Sequence, residues 1–190
     1  MPVLEEMSYT VTRSRRKSVG IRLRPDGSFA VSAPLFMPEK ELQKVLGSKL
    51  PWMWKAQKNA AENAKKAAEA GALSAEEIKE LAERALQVIP ARVRYFAPLV
   101  GVSYGRITIR NQVSRWGSCS SAGNLNFNCL LMLAPSEVLD AVVVHELCHR
   151  KHMDHSEAFY AEVRRVYPSY DKWQRWLKTE GPVLMKRMCR

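Results

Sequence analysis

Hydrophobic and polar residues change their spacing several times along the chain, and each change marks an element. Tyr9-Thr-Val-Thr12, Ser18-Val-Gly-Ile-Arg-Leu-Arg24 and Ser28-Phe-Ala-Val-Ser32 alternate with a period of two, which predicts short strands, the last two joined by a turn at Pro25-Asp26-Gly27. From Pro38 the spacing becomes helical. It pauses at Gly47-Ser48, where Ser48 can cap a second helix through Pro51 and Trp52 to about Ala70, with Gly71 ending it. Ser74-Ala-Glu-Glu77 is a capping box, and the helix it opens carries Ile78, Leu81, Leu86 and Val88. Pro90 is expected to interrupt or kink that helix, which resumes through Val93, Tyr95 and Phe96 and stops around Gly101.

Beyond Gly101 the period returns to two. Arg106-Ile-Thr-Ile-Arg110 reads as a strand, and Gly117 and Ala122-Gly123 divide the segment after it into two more. Asn124-Leu-Asn-Phe-Asn128 is the candidate edge strand. Pro135-Ser136-Glu137 then starts a helix whose apolar run, Ala141 to Val144, suits a buried position. Ser156 caps the next segment, where Phe159, Val163 and Val166, then Trp173, Trp176 and Leu177, describe two amphipathic helices.

Strands and helices in this order predict an α+β fold. At 190 residues the chain is long enough for a small N-terminal β/helical module over residues 1–71, a main domain over 72–180 and a basic tail over 181–190. Apolar residues make up 46% and charged residues 26%, the balance of an ordinary globular protein. No apolar run is long enough to span a membrane and no signal peptide opens the chain, so the expected location is cytoplasmic. Cys119, Cys129, Cys148 and Cys189 lack any C-x-x-C spacing, which favours reduced thiols over a structural metal knuckle. The net charge of +11 points to contact with something anionic or to a solvated basic surface. Arg13, Arg15, Arg16, Lys17, Arg22 and Arg24 gather on the N-terminal strands, where non-specific contact with nucleic acid competes with simple edge protection by charge.

All four histidines lie between His145 and His155. His145 and His149 are one helical turn apart on a single face, with Glu146 beside them, in the pattern H-E-x-x-H. Two imidazoles at that spacing can hold Zn²⁺, one ion per chain, and the glutamate can take a proton from an activated water. A third ligand is needed. On a straight helix His145 and His152 would be separated by roughly 10.5 Å of rise, which two imidazoles cannot easily span around one ion. His155 reaches the ion if the helix stops after His149 and the chain turns back, and Met153-Asp154 can supply the turn, since Asp tolerates the left-handed conformation. The spacing of His145, His149 and His155 is also that of the metzincin peptidases, which have glycine where this chain has His152.

Several segments together resemble the YgjP-like metallopeptidases, relatives of the SprT-like zinc peptidases. They are Arg13-Ser-Arg-Arg-Lys17, Trp52, Ser114-Arg-Trp-Gly-Ser-Cys-Ser120, Gly123-Asn-Leu-Asn-Phe-Asn128, Pro135, His145-Glu-Leu-Cys-His149, Asp154-His-Ser156 with Phe159, and Pro168 through Trp176-Leu177. The resemblance implies a zincin-like domain that hydrolyses peptide bonds in a protein or peptide substrate. His145, His149 and His155 would be ligands and Glu146 the general base. It also implies that substrate lies extended along an edge strand, which assigns substrate-binding roles to Asn124, Asn126 and Asn128; Arg115 is the candidate to stabilise developing negative charge. Two other readings stay open: a zinc-dependent nucleotide pyrophosphohydrolase, and a nucleic-acid-associated module that processes bound proteins.

Overall fold

The structure is a computed structural model and describes residues 4–188; Cys189 and the end of the expected tail lie outside them. The chain divides into two compact units at Lys65/Lys66, inside a helix and ahead of the expected boundary at 71/72.

The first unit opens with a short 3₁₀ turn, Leu4–Glu6, and builds a sheet from β1 (Tyr9–Ser14), β2 (Gly20–Leu23) and β3 (Phe29–Pro34). β3 is central, parallel to β1 and antiparallel to β2, so Val31 faces both Val11 and Ile21 in register. The turn between β2 and β3 is built as its residues require: Gly27 has φ 83°, and Asp26 accepts hydrogen bonds from the amide and hydroxyl of Ser28. Alternate residues of β3, Phe29, Val31 and Ala33, are buried together with Leu42, Leu46 and Met53 of α1 (Glu39–Ala70). That helix is unbroken, whereas the sequence predicts a pause at Gly47-Ser48. Ser48 Oγ donates back to the Val45 carbonyl at 2.7 Å instead of capping a new helix. Pro51 leaves only the Gly47 carbonyl without its i+4 donor. The buried face made by Leu42, Leu46 and Met53 outweighs that local penalty.

The second unit holds α2 (Ala75–Val100), β4 (Ile107–Arg110), β5 (Gly117–Cys119), β6 (Leu125–Asn128), a 3₁₀ turn (Cys129–Leu133), α3 (Ser136–Cys148), α4 (Glu157–Val166), α5 (Tyr170–Thr179) and α6 (Gly181–Lys186). With small sheets in both units, the fold is mixed α+β. Ser74 and Glu77 form the capping box that opens α2, and Gly101, at φ 77°, closes it. Pro90 does not interrupt it. The carbonyl that Pro90 leaves unpaired belongs to Leu86, which is exposed, so water can satisfy it. Accordingly Leu86 and Val88 lie outside the core, and Leu81, Ala85, Ile89, Val93, Phe96 and Val100 form the buried stripe.

α3 is buried on nearly every side, through Val138, Leu139, Ala141 to Val144, Leu147 and Cys148, as a helix with apolar residues around most of its circumference must be. It packs between α2, the 3₁₀ turn, β5, α4 and α5. Arg92 of α2 grips Asp140 of α3 through two hydrogen bonds of 2.6 and 2.7 Å. β6 lies in the middle of its sheet, parallel to β4 and antiparallel to β5. This corrects the edge position expected for residues 124–128, because alternation marks a strand but carries no information on strand order. The strand with a free edge beside α3 is β5.

Residues 181–188 are no loose tail. α6 folds back so that Met185 and Met188 join the core, and Gly181 lies close enough to Trp116 that a Cβ there would stand 3.1 Å from the ring. Leu73 forms a bridge with Met188, its amide donates to the Arg187 carbonyl at 2.8 Å, and Arg187 Nε donates to the Gly71 carbonyl at 2.9 Å. Among the described residues no helix is long and apolar enough to cross a membrane.

Candidate metal centre

Three imidazoles meet at the C-terminal end of α3. His145 and His149 come from successive turns of that helix, and His155 arrives from the loop before α4. Their ligand atoms all lie within 4.8 Å of one another. The Nε2 atoms of His145 and His155 are 3.1 Å apart, close to the ~3.4 Å separation of two tetrahedral ligands each about 2.0–2.1 Å from a zinc ion.

The return of the chain differs from the left-handed turn expected at Met153-Asp154: no non-glycine among the described residues has positive φ. The turn starts earlier. His149 is the α3 C-cap, and the amides of Arg150, Lys151 and His152 donate to the carbonyls of Leu147 and Cys148. Asp154 acts by accepting the Ser156 amide at 3.2 Å, and Ser156 Oγ in turn accepts from Phe159 at the first turn of α4.

Each helical imidazole is held by its other nitrogen. His149 Nδ1 donates to the His152 carbonyl at 3.0 Å, so His152 contributes its backbone and its side chain stays out of the cluster. His145 Nδ1 lies 2.8 Å from the Tyr170 hydroxyl, which also accepts from Gln174 Nε2 at 3.1 Å. His149 Nδ1 must donate to the His152 carbonyl, which leaves the Nε2 lone pair of His149 facing the cluster; the Tyr170 hydroxyl fixes the orientation of the His145 ring, whose Nε2 also faces the cluster. Phe159, fully buried, lies beneath all three rings, with centroids 4.5–5.1 Å away. Burial, together with His149 and His155, pushes His145 down to about 3, so its imidazole is neutral. Burial lowers His149 as well, with His155 adding to the effect and the bond to His152 opposing it. Three imidazoles, oriented and closely spaced, two of them held toward the neutral form by burial, fit a divalent metal ion.

Glu146 is 5% exposed, and burial pushes its carboxyl up to about 8. It lies against β5: a Cβ at Gly117 would stand 2.7 Å from Oε1 and 2.8 Å from Cγ. A cleft of about 240 Å³ opens over this group, lined by Gly117, Ser118, Cys119, Met153 and Arg115 together with the three histidines and Glu146. Cys148 shares the helix but faces the core, and burial pushes its thiol up to about 12.

The asparagines expected to bind substrate make hydrogen bonds within the fold, and none of them lines the cleft over the histidines. Asn128 is 1% exposed; its Nδ2 donates to the carbonyls of Gln112 and Arg115, and its Oδ1 accepts from Leu130. Asn126 Nδ2 donates to Ser118 Oγ, and Asn124 Oδ1 accepts the Arg106 amide. On a central strand their backbone is already paired. Two residues that sequence reasoning missed, Tyr170 and Gly117, lie far from the histidines along the chain. The motif signals neither.

Residues 75–180 match the family described as YgjP-like, metallopeptidase domain. No curated protein matches. Among solved structures, that of the metallopeptidase zymogen of Pyrococcus abyssi abylysin is similar, with 19% identity and a TM-score of 0.44, over 48% of this chain and 93% of that one. The metallopeptidase zymogen of Methanocaldococcus jannaschii jannalysin is similar at 21% identity and a TM-score of 0.42, over 47% and 93%. Because the family match spans more than half of the 190 residues, from the start of α2 through α5, and takes in the histidine cluster, Glu146 and β5, the chain belongs to the YgjP-like metallopeptidase family.

Proposed function

We propose that the second unit is a zincin-like hydrolase that cuts peptide bonds in extended protein segments, with His145, His149 and His155 as zinc ligands and Glu146 as general base. A zinc ion bound there supplies Lewis-acid activation of a water at neutral pH. Glu146 takes the proton of the attacking water and later delivers it to the leaving amine. Arg115, which lines the cleft, is the protein cation we assign to stabilise charge developing on the substrate carbonyl.

The observation that carries this reading is the contact between Glu146 and Gly117, because it puts the base against a strand with a free edge. Trp116 directs its carbonyl to Asn128 of β6 and Ser120 its amide to Asn124, just before β6. By antiparallel alternation, Gly117 and Cys119 aim theirs at the open side, where an extended peptide can pair with them. Among the described residues lining the cleft, Arg115 is the one Lys or Arg, which is poor provision for a nucleotide triphosphate.

Metal analysis of the purified protein, joined to assays of cleavage of unfolded protein and of pyrophosphate release from nucleotides, tests the proposal. One zinc per chain and cleavage of protein are expected. Pyrophosphate release without proteolysis would transfer the site to the nucleotide reading.

A further inference from the structure

The first unit carries two recesses that meet at β2, a strand at the edge of its sheet. On the α1 side a recess of about 330 Å³ is bounded by Val19, Ile21, Val45, Lys49 and Trp52. A second, of about 250 Å³, is bounded by Arg16, Gly20, Ile21, Arg22, Ala30 and Ser32. We propose that this edge takes up an extended segment of another protein as a fourth strand, one in which apolar and acidic residues alternate. The inference does not rest on the peptidase reading.

The backbone of β2 is set to receive such a segment. The Arg24 amide donates to the Ser28 carbonyl at 2.8 Å, and Arg22 and Gly20 lie opposite Ala30 and Ser32 in the same register. By antiparallel alternation Gly20, Arg22 and Arg24 turn their amides and carbonyls toward β3, so Val19, Ile21 and Leu23 turn theirs outward. A strand laid along them supplies the ladder of hydrogen bonds that an unpaired edge lacks.

The side chains fix which segment fits. A residue opposite Ile21 points to the same face as Ile21, where Val45 and Trp52, two turns apart on α1, line the apolar recess. Trp52 is half exposed there, its ring 6.4 Å from that of the buried Phe29. The next residue of the segment points the other way, toward Arg16 and Arg22. Arg16 is held in place, its guanidinium over Gly20 and its Nε donating to the Ser18 carbonyl. Among the described residues neither Arg22 nor Lys49 has an acidic partner. Opposite charges facing each other across neighbouring strands are favourable, which selects acidic residues at alternate positions. A nucleic acid would answer the arginines, yet it has no regular ladder to match the outward amides and carbonyls of β2. A second copy of the chain would bring another basic strand against Arg22.

The test is an NMR titration of the whole ¹⁵N-labelled chain with a capped seven-residue peptide in which valine and aspartate alternate, beside its counterpart in valine and lysine and a copy N-methylated at each valine. Shifts are expected at the amides of Val19, Ile21 and Leu23, with the aspartate peptide binding about tenfold tighter than the lysine one. Methylation removes the donors that face β2 and should abolish binding. Two surface substitutions, checked for folding by circular dichroism, separate the faces. Arg22→Glu is expected to erase the preference for aspartate, and Val45→Glu to weaken the aspartate peptide about tenfold, the effect of losing one apolar anchor. Equal binding of the two charged peptides, binding that survives methylation, or shifts caused by a ten-nucleotide oligothymidylate and not by the peptide would overturn the proposal. So would dimerisation through β2, seen in sedimentation and not reversed by the peptide. Absence of any binding also overturns it, and leaves the charge of β2 as protection of a bare edge.

Discussion

Glu146 has to carry charge in surroundings that oppose it. Burial favours the neutral form of its carboxyl, and a cation held among the histidines would oppose that preference by attraction across a medium of low dielectric. Glu146→Gln, nearly the same in shape, is expected to keep metal stoichiometry near one while turnover falls by about 10² or more. Gly117→Ala should reach a similar outcome through geometry. The added methyl would overlap Glu146, so activity should fall on the order of 10- to 100-fold with metal retained. Full activity in a zinc-loaded Gly117→Ala protein would detach the strand from the chemistry. For the ligands, a chelator competition titration is the measurement: His155→Ala is expected to weaken zinc binding far more than His152→Ala, since His152 supplies only its carbonyl. Tyr170→Phe should cost roughly 10–100-fold in affinity by releasing His145 Nδ1. The triad's spacing was readable in the sequence because a helix imposes it; Tyr170 was not, because its contact spans 25 residues and depends on how α5 packs against α3.

Among the elements, the loop from Arg150 to His155 decides where the third imidazole goes, and it is tied down by charge. Glu162 of α4, 14% exposed, accepts from Lys151 at 2.6 Å and from Arg165 at 2.8 and 2.9 Å, while Arg165 also donates to the Leu99 carbonyl at the end of α2. The bonds from Arg165 and Lys151 hold the Glu162 carboxyl down to about 2, against an ordinary 4.5. A depressed carboxylate stabilises the fold fully above about pH 4.5 and loses that contribution as pH falls toward 2. Glu162→Gln is therefore expected to cost about 1–2 kcal/mol at neutral pH and to flatten the acid limb of the stability curve, read by denaturant melts across pH. An acid limb equal to that of the wild type would remove the clamp. The capping box at Ser74 and the stop at Gly101 were legible because they are local chemistry. Strand order and the continuity of α1 through Pro51 were not, since both are settled by packing against residues distant in sequence.

At the scale of the whole molecule, the net charge of +11 sits on a chain whose first unit already uses part of its basic face internally. Arg13 pairs with Glu39 at 2.9 Å, Arg24 donates to Thr10 at 2.7 Å, and Arg16 packs over Gly20. We expect the remaining charge to give weak, sequence-tolerant contact with nucleic acid backbones, with affinity falling steeply from about 50 to 200 mM salt. Titrations with duplex and single-stranded DNA check it, and no binding at low salt would assign the charge to solubility alone. The meeting of Leu73 with Met188 has a different consequence. Leu73 and Met188 lie side by side near the two ends of the second unit, so the chain can be cut and rejoined there without crossing the structure, and residues 73–188 have the form of a cassette that a host loop could carry. A circular permutant of residues 73–188, with its ends joined by a short linker and the chain reopened at Ser169 between α4 and α5, is expected to fold and bind one zinc. Loss of folding there would mean that the closed ends depend on the order in which the helices are made.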